Sequence, residues 1–271
     1  FFEKCQRNGR LFLKGMGILT PVSINRTHEI LSSVFNIPLA TGTIKNMVTR
    51  CAESLKDTYE QIRLKMITLG LIHCDETGSR VDGKTCWVHV ASDQDYTYLT
   101  INQKRGQAGM DAANVLPHAN GIIMHDCWSS YWKYQNVTHA ICCAHLLREL
   151  NGVIENHPEQ TWAVRFKKLL LDMKKVRDKA LLLDKDEVSY YHRHKFDMEY
   201  DSIIKTAYGE NPFPETPAKK RGRKKKSKVL NLICRLYNYK ESVCLFIKNL
   251  CVPFDNNQAE RDLRMVKVKT K

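Results

Sequence analysis

The stretch from Ile67 to Ile101 constrains the chain most, because it reads as three consecutive antiparallel strands carrying one early acid. Ile67-Thr68-Leu69-Gly70-Leu71-Ile72-His73-Cys74 is mostly apolar, short and free of proline, as a buried strand should be. On this reading the strand ends at Asp75, and Glu76-Thr77-Gly78 follow it. Asp82-Gly83 lies between alternating segments, the strongest short-range sign of a hairpin turn. Cys86, Val88 and Val90 alternate with Trp87, His89 and Ala91 on a second strand. Tyr96 to Ile101 alternates again, after the polar turn Ser92-Asp93-Gln94-Asp95. An aspartate at the end of a central strand suits a metal ligand, although most aspartates at strand ends are solvated turn residues.

The elements around the meander extend this pattern. From Ser23 the spacing is helical, with Ile24, His28, Leu31 and Phe35 on one stripe, until Asn36-Ile37-Pro38 breaks it. A second helix starts near Thr41 and runs through Ile44, Met47, Val48, Cys51 and Leu55. Two short helices around a tight break resemble a helix-turn-helix, whose second helix enters the major groove; a plain helical hairpin has the same pattern. Past the meander, Gln107 to Leu116 reads as a helix closed by Pro117. Gly121 to His125 is a continuous apolar strand ending at Asp126, and Trp128, Tyr131, Trp132 and Tyr134 follow in a short helix. Val137 to Cys143 is a fifth strand, and Leu146, Leu147, Leu150, Val153 and Ile154 continue at helical spacing. Three strands and then alternating helix and strand is the order of a ribonuclease-H-like mixed sheet with helices on both faces.

From Trp162 to about Leu250 the pattern is helical only, which makes this region a large insertion. One helix is marked by Trp162, Phe166, Leu169, Met173, Val176 and Ala180, and a second by Val188, Tyr191, Met198 and Ile203. A third runs from Val229 to Leu250. The domain reading is a helical segment over 1–66, a catalytic core over 67–152, a helical insertion over 153–252 and a last core helix over 253–271.

Charge limits the class of partner. Lys and Arg number 43 against 29 Asp and Glu, a net charge of +14 with a pI near 9.3. Such an excess favours a polyanion, most simply nucleic acid. Lys219, Lys220, Arg221, Arg223, Lys224, Lys225 and Lys226 concentrate it in one extended segment ending at Lys228. Contact there would be with phosphates rather than bases, and a solvated loop is the alternative. The ten cysteines are scattered without paired C-x-x-C knuckles, so they read as reduced residues of a cytosolic protein. No apolar run reaches the roughly 18 residues of a membrane span, and Lys14 with two glycines interrupts the only signal-like stretch. The chain opens on Phe1 and stops on Lys271 inside a basic run, as a fragment would.

The last segment is the most specific. Pro253-Phe254 leads into Asp255-Asn256-Asn257-Gln258, where Asp255 can cap a helix and Gln258 can return the bond. Glu260 follows in the first turns, with Arg261, Arg264, Lys267 and Lys269 close by. An exposed glutamate pairing with Arg264 would look the same in sequence.

Asp75, Asp126 and Glu260 thus stand out as three acids. The wording around them resembles the insertion sequence 66 family of bacterial transposases: Asp75-Glu76-Thr77-Gly78 with Arg80 to Lys84, Cys142 to His145 with Leu146, and above all Val252 to Val268. The resemblance covers about residues 23–271. It implies a ribonuclease-H-like fold and a DDE site in which Asp75, Asp126 and Glu260 are the acids and metal ligands. It also implies two Mg²⁺ or Mn²⁺ ions and cleavage of transposon-end DNA, followed by joining of the 3′-hydroxyl ends to target DNA. The implied partners are double-stranded DNA, further copies of the chain assembled on it and accessory proteins of the element, in the nucleoid-associated cytoplasm of a bacterium. Arg261, Arg264 and Lys267 join the basic segment as candidate DNA contacts. Cys142 and His145 match the C-x-x-H of several DDE groups; two ligands do not make a zinc site, so they read as a structural or DNA-side element. Two other classes keep the same features: a ribonuclease-H-like nuclease that only hydrolyses, and a non-catalytic DNA-binding remnant.

Overall fold

The computed structural model describes residues 22–81, 83–213 and 226–269, with side chains through Arg264 and at Val266. These residues form two compact units, one drawn from the chain up to Asn120 together with the segment from Asn257, the other spanning Gly121–Asn256.

The first unit begins with three helices. Helix α1 (Ile24–Ser33) is capped by Ser23, whose hydroxyl accepts the amide of Arg26 at 3.3 Å. Helix α2 (Thr41–Ser54) follows the Pro38 break, as the spacing predicts. A third helix, α3 (Lys56–Ile67), was not expected from the apolar pattern, and the reason is visible in its packing. Met66 is its one buried residue, so no continuous stripe marks it. It is held instead by specific contacts. The Tyr59 hydroxyl donates to the Leu99 carbonyl at 2.8 Å, its ring lies 4.6 Å from that of Tyr98, and Arg63 donates to the Asn114 carbonyl at 2.7 Å.

Ile67 therefore closes a helix rather than opening a strand. Strand β1 is Leu71–Val81, β2 is Lys84–Ser92 and β3 is Thr97–Asn102, in an antiparallel meander. Gly83 adopts φ +75° in the tight hairpin, a conformation that glycine takes without strain, while Asp82 lies outside the described residues. The Asp93 carboxylate closes the next turn by accepting the amides of Asp95 and Tyr96 at 3.0 and 2.7 Å. The predicted end of the first strand is corrected here. Asp75 sits within β1, because β1 goes on pairing with β2 as far as Val81 opposite Lys84. Alternation places Asp75 and Thr77 on one face with Val90 and Val88, and Glu76 on the other with His89.

The face bearing Val88 and Val90 is covered by helix α11 (Asn257–Lys269), whose Ala259 and Leu263 pack on them, with Leu99 and Val266 alongside. The opposite face is closed by Arg105, which bonds Glu76 and lies 4.8 Å from the Trp87 ring centroid, and by the short helix α4 (Gln107–Ala112). A side chain at Gly109 would place its Cβ 2.0 Å from the Lys104 carbonyl oxygen and 2.7 Å from His89 Nε2, so this approach requires glycine.

In the second unit β4 (Ile122–His125) and β5 (Thr138–Ile141) pair in parallel, Ile123 opposite His139. Asp126 follows β4 directly, as the sequence predicts. Helices α5 (Cys143–Asn156), α6 (Thr161–Leu182) and α7 (Tyr190–Glu210) bury Leu146, Leu150, Trp162, Phe166, Leu170, Met173, Tyr200 and Ile203. The segment expected as one helix from Val229 to Leu250 is instead three: α8 (Lys228–Asn238), α9 (Lys240–Val243) and α10 (Leu245–Lys248). The first break falls at Tyr239, whose ring stacks on that of Trp132 with centroids 3.7 Å apart. The α/β class expected from the order of elements is present, with antiparallel and parallel strands both represented. No helix among the described residues is long and apolar enough to cross a membrane.

Candidate catalytic acids and their surroundings

Asp75 and Glu260 belong to the same unit, and Asp75 lies on the sheet face that the helix carrying Glu260 covers. Asp75 stands opposite Val90, and directly opposed residues of an antiparallel pair point the same way. Val90 packs against Ala259, the residue before Glu260. Both acids are half-buried. Asp75 Oδ1 accepts the amide of Glu76 at 2.8 Å.

The strand under Asp75 is fixed from behind. The Glu76 carboxylate is buried, and its Oε1 accepts Nε and a terminal nitrogen of Arg105 at 3.0 and 2.8 Å. A buried carboxylate left without a cation would be costly, so this pair holds the register that aims Asp75. Helix α11 is set by a polar contact as well as by its apolar seat: Asp262 accepts the Thr97 hydroxyl at 3.1 Å and the Gln258 amide at 3.2 Å. Helix α11 opens at Asn257, and the Gln258 amide bonds forward along it to Asp262.

Asp126 belongs to the second unit, in the tight turn that leaves β4. Its Oδ1 accepts the amide of Trp128 at 2.9 Å. The intervening Cys127 has φ +72°, a left-handed conformation unusual for a side-chain-bearing residue. Its amide donates to Nδ1 of the fully buried His125 at 3.0 Å. Nε2 of His125 lies 3.0 Å from Nδ1 of His139, whose Nε2 lies 2.9 Å from the Tyr134 carbonyl oxygen. An amide at one end can only donate and a carbonyl at the other can only accept. Both imidazoles are therefore neutral with the proton on Nε2, and the chain runs from Cys127 through His125 and His139 to Tyr134. Burial holds His125 well below the ordinary histidine range, with repulsion from His139 adding to it. Burial also lowers His139, against the opposing bond to Tyr134. Tyr131 stacks on His125 with centroids 4.6 Å apart, and Trp132 lies 4.5 Å from His139.

Cys142 precedes α5, and its sulfur accepts the amide of Asn256 at 3.2 Å. Burial raises its pKa, while the amides of His145, Asn256 and Ala144 oppose the rise. The Cys142 sulfur and a ring nitrogen of His145 lie within 4.8 Å of one another. Arg148 donates to His145 Nε2 at 3.2 Å. The pair supplies two soft donors, short of the four that a closed zinc site takes. The described cysteines are unbridged.

Among the basic candidates, Arg261 and Arg264 are exposed on α11, and Arg261 donates to Gln258 at 2.6 Å. Lys226 Nζ lies 3.0 Å from the Cys234 sulfur and 5.1 Å from the Phe213 ring centroid. Lys219, Lys220, Arg221, Arg223, Lys224 and Lys225, and the side chain of Lys267, lie outside the described residues.

Sequence reasoning did not single out Glu76, Arg105, His125, His139 or Asp262. The only hint was position: Glu76 and His125 each adjoin a candidate acid. No curated protein matches the chain. The family described as "Transposase IS66 family" matches residues 20–271.

Proposed function

The chain belongs to the IS66 family of transposases, and on that premise we propose that it cleaves transposon-end DNA and joins the freed 3′-hydroxyl to target DNA through Asp75, Asp126 and Glu260. The observation that carries this reading is the register of β1 on β2, which turns Asp75 toward the face covered by the helix bearing Glu260. The fold that suits this chemistry is the ribonuclease-H-like one, with the segment 153–252 inserted before the last helix.

The donor set fits hard divalent cations. All three side chains offer carboxylate oxygens, as Mg²⁺ or Mn²⁺ require, and few are needed because Mg²⁺ keeps several waters. Asp75, Asp126 and Glu260 would hold the ions. When bound, two such ions supply charge that stabilises the attacking and leaving oxygens of an in-line displacement. The protein's own contribution is placement. Glu76 and Arg105 lock the strand beneath Asp75, Asp262 and the Ala259–Leu263 seat set the helix of Glu260, and the Trp128 amide orients Asp126. Arg261, Arg264, Lys267 and the segment from Lys219 to Lys228 would bind phosphates and supply affinity without sequence reading. Copies of the chain would assemble on the DNA ends.

The test is a strand-transfer assay with Mg²⁺, element-end duplexes and pre-cut ends. Joined products are expected, and each of Asp75→Asn, Asp126→Asn and Glu260→Gln should remove them. Cleavage without joining would leave a hydrolytic nuclease. Binding without any cleavage would leave a DNA-binding remnant.

A further inference from the structure

We propose that His125 and His139 form a directional imidazole pair that positions Asp126, His125 being the positioning residue for that acid; this rests on the role given to Asp126 above. The turn Asp126-Cys127-Trp128 is strapped twice by side chains onto its own backbone. His125 Nδ1 takes the Cys127 amide, and Asp126 Oδ1 takes the Trp128 amide. The first strap holds Cys127 at φ +72°, a left-handed conformation that a residue with a side chain keeps only when its surroundings impose it. Relaxation of Cys127 to an extended conformation would rotate the peptide planes on either side and turn the Asp126 carboxylate away.

His125 can accept that amide only if its proton is on Nε2. In an isolated imidazole the proton is free to move to Nδ1, which would oppose the Cys127 N–H with a second donor. His139 removes this freedom. Its Nδ1 accepts the Nε2 proton of His125, and its own Nε2 proton is committed to the Tyr134 carbonyl. The pair thus transmits the direction of one backbone carbonyl, on the loop before β5, to the backbone of the acid-bearing turn after β4. Tyr131 on one ring and Trp132 on the other prevent either imidazole from flipping. The ring nitrogens bond the Cys127 amide, each other and the Tyr134 carbonyl rather than the Asp126 carboxylate, so the action is through the backbone.

The experiment has one arm independent of catalysis. Nitrogen-15 NMR of the full chain should show both imidazoles with the proton on Nε2 and a Cys127 amide slow to exchange. A proton on Nδ1 of either ring overturns the proposal. The second arm compares two substitutions. In His125→Asn the side-chain oxygen can stand where Nδ1 stands and keep the Cys127 bond. In His125→Gln the terminal amide is carried toward Nε2 and that bond is lost. Mn²⁺ binding followed by electron paramagnetic resonance should be retained by His125→Asn and weakened in His125→Gln by on the order of 10-fold, as for other residues that orient a ligand. The KM for DNA should stay unchanged. Equal Mn²⁺ affinity in both variants, or the reverse ranking, overturns positioning. If His125→Gln does not fold, His139→Leu gives the same reading, because it removes the acceptor that fixes the tautomer of His125; a fully protected Cys127 amide there overturns the proposal. Asp126→Asn runs alongside: unaltered Mn²⁺ binding and cleavage in it overturn the role of Asp126 itself. Loss in Asp126→Asn with none in His125→Gln overturns only the pair.

Discussion

Asp75 stands opposite Val90 across the first two strands, and Val90 packs beneath Ala259, the immediate neighbour of Glu260. Two acids 185 positions apart in the chain, as 260 − 75, are thereby referred to one sheet face. A one-residue slip of β1 on β2 would send Asp75 to the opposite face and bring Glu76 in its place. Several features resist that slip, and each is open to test.

Removal of the charge on Asp75 should separate chemistry from binding. Asp75→Asn keeps size and the capacity to accept the Glu76 amide, but an amide is a poor ligand for a hard cation. Cleavage should fall below detection while affinity for element-end DNA stays close to that of the parent. Gel-shift and cleavage assays on the same preparation check this, and normal cleavage by Asp75→Asn would exclude it as a ligand.

The Arg105 latch should matter for stability more than its surface position implies. Arg105 is 40% exposed on its side chain, whereas its partner Glu76 is only 1% exposed. Arg105→Ala leaves a buried carboxylate without its cation, and a loss of about 3 kcal/mol is expected. Glu76→Gln with Arg105→Ala should recover part of it, since the buried group is then neutral. Urea midpoints of the single and double variants measure the difference.

Truncation beneath the last helix should disturb Glu260 without touching it. Leu263→Ala opens a cavity against Val88 and Val90, and such changes cost about 2–5 kcal/mol. The variant should unfold earlier in thermal melts and require more Mn²⁺ for half-maximal cleavage. An unchanged melting temperature would show that α11 is seated some other way.

The histidine pair should make stability depend on pH in one direction. Both rings are held below the ordinary range by burial, so the unfolded chain takes up protons that the folded chain refuses. Their contribution is fully present above the unfolded value of about 6.5 and is lost as the pH falls below it toward the lowered folded values. Urea midpoints at pH 7.5 and 5.5, taken as round values about the histidine range, should differ more for the parent than for His125→Asn. Equal differences would place the acid sensitivity elsewhere.

The basic segment from Lys219 to Lys228 should act through phosphates. Neutralising five of its side chains should flatten log K against log salt by up to about 4.5, at roughly 0.9 per contact. An unchanged slope would leave it a solvated loop.

Much of this protein is legible along the chain. Alternation at Val88 and Val90, the glycine at 83, the apolar run into Asp126 and the wording from Val252 to Val268 are local signals, and each marked an element that is present. The strand around Asp75 was recognised but its end was misplaced, because pairing with β2 carries the strand on through polar residues that no periodicity flags. Helix α3 was missed for a related reason: one tyrosine hydroxyl and one guanidinium hold it, rather than an apolar stripe. The partnership of Glu76 with Arg105 and the sequence of donors from Cys127 to Tyr134 had no trace in composition or spacing. They depend on which atoms meet after strands register and burial removes water, and hydrogen-bond direction is settled only there. Residue type and local period thus determined the acids, the charge and most of the elements, whereas tertiary packing alone decided which way the acids face and what holds them still.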